Sequence, residues 1–432
     1  MRVTILNTCS TLNRGDAAIV LGQISLLQKH CPGAHIAITS KTPALDRLFY
    51  GPLGVEVLAP LTPALSVHRG PKHKLIEAAR GLADWANKRR LVQAVRQSDL
   101  VLGCGGGYFY SYRSVLPGTT FWQNVIHAHL ATLLHRPLVF LPQSFGPFGN
   151  PLAQKGVKRL LEKQNVLKVF AREEASQQLL YRMLSKDQHS KIALCPDMAL
   201  YLEGDTRQDA VQGELPDLPQ PILAMNLREW SFHKAGDAAA RRSKREKYLD
   251  ALGTVVRFFI QRYRGSVLVV PQALGPDPSE DDRGICVEFC RRVREHIPEG
   301  VVVQLREPDT SPLTGSMQLL SRSAVLVGTR LHSCILALLV GVPVISIGYQ
   351  PKSQGTLDML GLGRFNTDIG NLSSEWLLAS VEGIMSCREE VQEEIHQSLS
   401  QARAQIEDQV GTLLNSFAND LGSRTEGKRI FP

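Results

Sequence analysis

Short apolar runs alternate with longer amphipathic stretches along most of this chain. Residues 3–6, 35–39, 99–103, 137–141, 169–171 and 192–195 read as buried strands in the first part. A second series follows at 222–226, 267–270, 301–304, 325–327 and 342–347. Between them the pattern turns helical, as after Gly15 and over residues 119–134. Regular alternation of this kind predicts parallel sheets with helices on both faces, an α/β fold. Residues 203–221 are rich in Gly, Pro, Asp and Gln and break the alternation, so they are expected to be a linker. The predicted organisation is an N-terminal domain over 1–202, a C-terminal domain over 222–372, and a charged helical segment with a tail over 373–432. With 432 residues the chain exceeds a usual single core, in keeping with two domains.

Composition narrows the class. Apolar residues make up 43% and charged residues 21%, the balance of a globular protein. No run of eighteen apolar residues is present, and Met1-Arg2 leads directly into a strand, so neither a membrane span nor a leader is expected. Eight scattered cysteines form no CxxC, and Cys286 and Cys290 have no second ligand pair. Reduced thiols, a cytoplasmic location, no metal and no cofactor are the expectation. The net charge of +8 points to acidic partners. Part of it lies in a basic amphipathic stretch, residues 68–96, around Trp85. That stretch reads as a solvated helix, with peripheral docking to anionic lipid at the inner face of a membrane as the functional alternative. Nucleic acid is not expected, because no binding motif accompanies the charge.

The chemistry-bearing residues fall at strand ends, the edge where open α/β sheets bind ligands. Arg330 and His332 follow one strand, and Tyr349 and Lys352 follow the next. Two fixed cations and an imidazole beside a helix N-terminus suit a small polyanion. Gly103-Cys104-Gly105-Gly106-Gly107-Tyr108 can cradle an anionic or sugar group, but it is neither a dinucleotide fingerprint nor a Walker loop. Pro142-Gln143-Ser144-Phe145-Gly146-Pro147 reads as a stiff polar turn. Arg172, set in a first helical turn against the dipole, favours an external anion. Asn13-Arg14-Gly15-Asp16 marks a strand-to-helix junction, either a helix cap or a ligand contact. The cluster Ser279-Glu280-Asp281-Asp282 reads as a helix N-cap with acidic first-turn residues. Two α/β domains facing across a cleft lined by such loops make the architecture called GT-B.

In this order, Asn13-Arg14-Gly15-Asp16, Gly105-Gly106-Gly107, the Pro142–Pro147 segment, Ala171-Arg172-Glu173-Glu174, Pro196-Asp197, Arg330-Leu331-His332-Ser333 and Tyr349-x-Pro351-Lys352 resemble the polysaccharide pyruvyl transferase family. The likeness covers about residues 1–365, and the block from Arg330 to Lys352 is its most specific part. The resemblance implies a GT-B-like enzyme. It would move the pyruvyl group of phosphoenolpyruvate to a sugar of a polysaccharide or its lipid-linked precursor, forming a ketal and releasing phosphate. It further implies that Arg172, Arg330 and Lys352 bind the donor and that His332 handles protons. Asn13, Asp16, Tyr108 and Gln143, in the N-terminal half, are the expected acceptor contacts, since short polar and aromatic side chains suit sugar hydroxyls. The competing reading is a nucleotide-sugar glycosyltransferase on the same architecture. It would want a carboxylate for the ribose, and Asp358 is the only acid near the cationic loops in sequence.

Overall fold

The structure, a computed structural model, describes residues 1–61, 85–112, 117–203, 218–295, 297, 302–304 and 312–427. Residues 68–84 of the basic stretch and 204–217 of the linker lie outside them. The chain divides into two compact units. One comprises Met1–Thr11, Asp16–Leu202 and the chain from Ala402; the other comprises Leu12–Gly15 and Glu203–Gln401.

The first unit is built on strands β1 (Arg2–Leu6), β2 (His35–Thr39), β3 (Glu56–Leu58), β4 (Leu100–Gly103), β5 (Gly106–Ser111), β6 (Leu138–Phe148), β7 (Val166–Ala171) and β8 (Ile192–Leu194). They run parallel in the order β3-β2-β1-β4-β6-β7-β8, with β5 beside β6. The second unit holds β9 (Ile222–Asn226), β10 (Ser266–Val269), β11 (Val302–Gln304), β12 (Val325–Gly328), β13 (Val344–Gly348) and β14 (Asn366–Asp368), again all parallel, in the order β11-β10-β9-β12-β13-β14. Central strands such as β4, β9, β12 and β13 are buried along their whole length, because helices cover both faces. Each unit has its own apolar core, one around Val101, Phe140 and Val169, the other around Leu223, Val256 and Val327.

The stretch 142–147 is not a turn. It continues β6 to Phe148, and Gly106–Ser111 pairs with it as β5. Phe109 and Phe145 drive the pairing: their buried rings stack at 5.8 Å and 22°, and Phe109 also meets Phe140 edge-on. Among the described part of the basic stretch, Trp85–Gln97 is a helix. It buries Leu91 and Val95, one turn apart, and exposes Arg89, Arg90 and Arg96. All eight cysteines are unbonded. No helix of the described residues is long and apolar enough to cross a membrane.

Candidate active site at the strand ends

In the second sheet the chain winds outward from β9 to β11, then returns to the other side of β9 with β12. The reversal lies between β9 and β12, the place where parallel sheets of this kind bind ligands. Asn226 and Gly328 are paired in register there. Two residues beyond each stands an arginine, Arg228 and Arg330. Beyond β13, the next strand, come Tyr349 and Lys352. Three adjacent strand ends therefore deliver three cations to one edge.

The backbone under them is fixed by buried polar groups. Asn226 is 2% exposed; its Oδ1 accepts from the Arg330 N–H at 3.0 Å and its Nδ2 donates to the Val270 carbonyl. The Tyr248 hydroxyl meets Thr329 Oγ1 at 2.8 Å and accepts from the Arg228 N–H at 3.4 Å. Arg228 Nη1 donates to the Tyr349 hydroxyl at 2.6 Å, and its guanidinium lies 4.6 Å from that ring's centroid. Trp230 packs against Tyr349 at 4.7 Å, and Lys352 Nζ lies 6.0 Å from the Tyr349 ring. Burial alone would raise the Tyr349 phenol. The charges of Arg228, Lys352 and Arg330 reverse this and hold it below its ordinary value. Around the phenol the three cations thus outweigh both burial and the opposing charge of Asp282. Arg228 Nε and Gln272 Nε2 are buried and make no hydrogen bond to the described residues, so the edge retains N–H donors suited to an acidic ligand.

Arg330 is more committed than its loop position suggests. It is 7% exposed and grips Asp282, itself 1% exposed, through Nη2 at 2.7 Å and Nε at 3.1 and 3.2 Å. Nη2 also donates to the Glu280 carbonyl at 2.8 Å. Asp282 is thus the buried counter-ion of Arg330 as well as the residue preceding the helix Arg283–Arg294, where its side chain makes no cap. Burial pushes its carboxyl up, and Arg330 opposes that shift.

His332 occupies the first turn of the helix Leu331–Leu339. Leu12–Gly15, although near the N-terminus, belongs to this second unit. Asn13 bridges Ala273 antiparallel, and the fully buried Arg14 donates to the Pro271 carbonyl. Asn13 Oδ1 accepts from the Gly15 N–H at 3.1 Å. Gly15 packs closely against the His332 side chain, and a Cβ there would stand 2.5 Å from His332 Cβ. Asn13, Arg330, His332 and Lys352 are therefore brought into one unit, and glycine at 15 is what lets His332 sit as it does.

Asp16, Tyr108, Gln143 and Arg172 belong to the first unit. Arg172 is 1% exposed and its partners are internal: Asp197 at 2.6 Å, Ser144 Oγ at 2.7 Å and Glu173 at 3.4 Å. The misfit with a helix dipole does not arise, because the helix begins only at Glu174 and Arg172 extends β7. Adjacent β6, β7 and β8 bring Ser144, Arg172 and Asp197 together, and two carboxylates neutralise the guanidinium. Its Nη2 makes no hydrogen bond to the described residues and lies near Gly107. Gln143 is fully buried. Its amide closes no hydrogen bond of good geometry with the described residues, although Tyr108 is near enough for the amide to temper the rise that burial imposes on the phenol.

One first-unit residue escaped the sequence reading. His127, 5% exposed, accepts at Nε2 from the Leu61 N–H and donates from Nδ1 to Asn7 Oδ1, each at 3.0 Å. Asn7 holds the start of the loop after β1 in a left-handed conformation, φ +64°, and donates to the Asn124 carbonyl. Burial, then Lys41, lowers His127 to about 4. The unfolded imidazole, near 6.5, binds protons that the folded one refuses, so stability falls as pH drops from about 6.5 towards 4. Denaturation at pH 7 and pH 4 should differ by an amount that His127→Gln reduces, by roughly 3 kcal/mol at most. An unchanged pH dependence in that variant would remove His127 as its source.

The two parallel-sheet units define the GT-B-like class of α/β proteins. Among solved structures, Anabaena HepE in complex with UDP-glucose matches with a TM-score of 0.58 at 14% identity, covering 98% of this chain and 100% of that one. UDP-GlcNAc 2-epimerase from Neisseria meningitidis, bound to UDP-GlcNAc, matches with a TM-score of 0.52 at 13% identity over 91% and 94%. At such identities these likenesses establish the fold. The amylovoran biosynthesis protein AmsJ of Erwinia amylovora is 24% identical over 91% of this chain and 94% of its own length. The profile of the polysaccharide pyruvyl transferase family matches residues 13–351. This chain belongs to that family, and the matched span runs from Asn13 through Arg228, Arg330, His332 and Tyr349 to Pro351.

Proposed function

We propose that the protein transfers the pyruvyl group of phosphoenolpyruvate to a sugar of a polysaccharide or its precursor, closing a ketal and releasing phosphate. The observation that carries this reading is the convergence of Arg228, Arg330 and Lys352 around Tyr349, beside His332. Phosphoenolpyruvate presents a carboxylate and a phosphate on one small frame, which calls for cations at fixed spacing. Arg330 is paired with Asp282, and Arg228 and Lys352, both beside the Tyr349 ring, are the further cations assigned to the donor. Lys352 stands in the first turn of the helix Pro351–Met359, whose positive dipole end favours phosphate. Arg172, neutralised internally, is left out of the donor set. Asp16, Tyr108 and Gln143 are assigned to the acceptor on their chemistry.

The proton balance fixes what His332 must do. Two acceptor hydroxyls lose protons; one proton ends on the donor methylene, which becomes methyl, and one leaves with phosphate. The oxygens of the acceptor bond to C2 as the C2–O bond to phosphate breaks. No oxidant or metal enters this balance, and His332 is the side chain assigned to pass protons.

Thermal unfolding with phosphoenolpyruvate, and separately with UDP and UDP-sugars, tests the reading. A ligand at about a hundredfold over its dissociation constant adds ~2.7 kcal/mol. Phosphoenolpyruvate should stabilise the protein, and Arg228→Met should weaken its binding roughly ten- to hundredfold through loss of a charge-assisted contact. Stabilisation by UDP but not by phosphoenolpyruvate would overturn the assignment in favour of a nucleotide-sugar glycosyltransferase.

A further inference from the structure

Away from the strand ends, the first unit carries a surface whose chemistry the donor site does not use. The helix Thr119–Leu133 packs on the core through Phe121, Val125 and Ala128. Its outer face bears Trp122, Ile126 and Leu133, which are 37%, 44% and 75% exposed. With His129 they recur at helical spacing and form one stripe about 16 Å long. The neighbouring helix Pro151–Leu161 adds Leu152, 52% exposed, at its start. Its outer side then turns cationic with Lys155 and Arg159, followed just beyond the helix by Lys163. Between the two helices runs an open groove of about 680 Å³ lined by Trp122, Leu152 and these cations. Glycine at 156 lets the Trp122 ring lie close to the second helix: a Cβ there would come within 3.3 Å of that ring. Near one end, Tyr110 and Tyr112 pair at 5.3 Å and are both about two-fifths exposed. Gly149, two residues before the second helix, donates to the Ser111 carbonyl and ties that pair to the groove.

A solvated helix keeps large apolar side chains on its inner face, so four of them on the outer faces of two adjacent helices need a partner. Glu162 is the one acid lining the groove among the described residues, and it faces Lys158 at 3.6 Å. Lys155, Arg159 and Lys163 are therefore in excess. Burial lowers the His129 imidazole and Lys163 lowers it further, as expected where positive charge accumulates.

We propose that this face docks the protein on an anionic lipid bilayer, with Trp122, Ile126, Leu133 and Leu152 entering the headgroup boundary and Lys155, Arg159 and Lys163 pairing with lipid phosphates. The combination is what an interfacial surface requires: apolar bodies that insert, a tryptophan at the boundary, and long cationic stems that reach outward beside them. A second copy of this chain is a poor occupant, because a self-complementary contact would set the same cations against one another. This surface shares no residue with the cationic strand ends of the second unit.

The experiment is flotation of the full chain with phosphatidylcholine vesicles, with and without phosphatidylglycerol, together with its tryptophan emission. The expected result is binding only where phosphatidylglycerol is present, weakened by salt, with a blue shift that Trp122→Ser abolishes. Lys155→Glu with Arg159→Glu should lower partitioning at least about tenfold, since each cation near such a surface is worth about a fivefold change. Ile126→Ser with Leu133→Ser should lower it without altering the salt response. All these positions are on the surface, so an unchanged thermal midpoint shows that folding is intact. Absence of binding by the wild-type chain, or equal binding by all variants, would overturn the proposal. So would a concentration-dependent dimer that the same substitutions disrupt.

Discussion

Replacing His332 by alanine should lower turnover by ~10² to 10⁴ and leave the fold standing, the range expected when a positioned acid–base group is removed. The side chain lies at the start of the helix Leu331–Leu339 and is only partly buried, so its loss opens no core cavity. Its neighbour Gly15 gains space. Phosphoenolpyruvate binding, read as thermal stabilisation, should persist in the variant, because the cations beside it are unchanged. The effect should appear in kcat. Near-normal phosphate release would take His332 out of the chemistry even if the donor assignment stands.

Arg330→Ala should behave differently, and the second large effect is on stability. The substitution would leave the Asp282 carboxylate, 1% exposed, without the guanidinium that grips it. Breaking a buried pair from one side costs ~3–5 kcal/mol, which is a large part of the total stability of an ordinary domain. Urea denaturation should show this loss, and Arg330→Ala combined with Asp282→Ala should recover part of it, because the second change removes the stranded charge. A stable single variant would mean that Asp282 is protonated or rehydrated at little cost. Donor binding by Arg330→Ala is informative only once its folded fraction is known, whereas Arg228→Met tests the donor site without stranding a buried acid.

The contrast between these arginines shows where sequence reasoning worked and where it stopped. Arg330 was legible because it lies between a run of apolar residues and a helix, in a block with His332. Its partner Asp282 was visible only as one of several acids ahead of a helix, forty-eight residues away. Nothing local marks which of those acids will be buried. Arg228 had a signal, its place two residues past a strand, but that signal gains meaning only when β9 is known to lie beside β12. The internal partners of Arg172 were hidden for the same reason. Its two carboxylate partners include Asp197, supplied by the neighbouring strand end after β8.

The first sheet repeats the lesson. The run Gly103–Tyr108 and the segment Pro142–Pro147 look like two loops, since glycine and proline usually punctuate strands. Their pairing as β5 and the end of β6 depends on Phe109 and Phe145 burying their rings against each other, a contact across thirty-six residues. Likewise Leu12–Gly15 reads as part of the first strand–helix junction, yet it bridges Ala273 and places Gly15 against His332.

The sequence by itself determined that this protein is α/β, where most of its strands run, that two such units are needed, and which family it resembles. Apolar period and strand-end chemistry are local properties, and they survive reading in one dimension. Strand order, the burial of individual charges and the partners of each arginine were decided only by the tertiary structure. Those depend on which strand ends become neighbours and on how much water each charge loses there, and neither quantity is carried by any short stretch of residues.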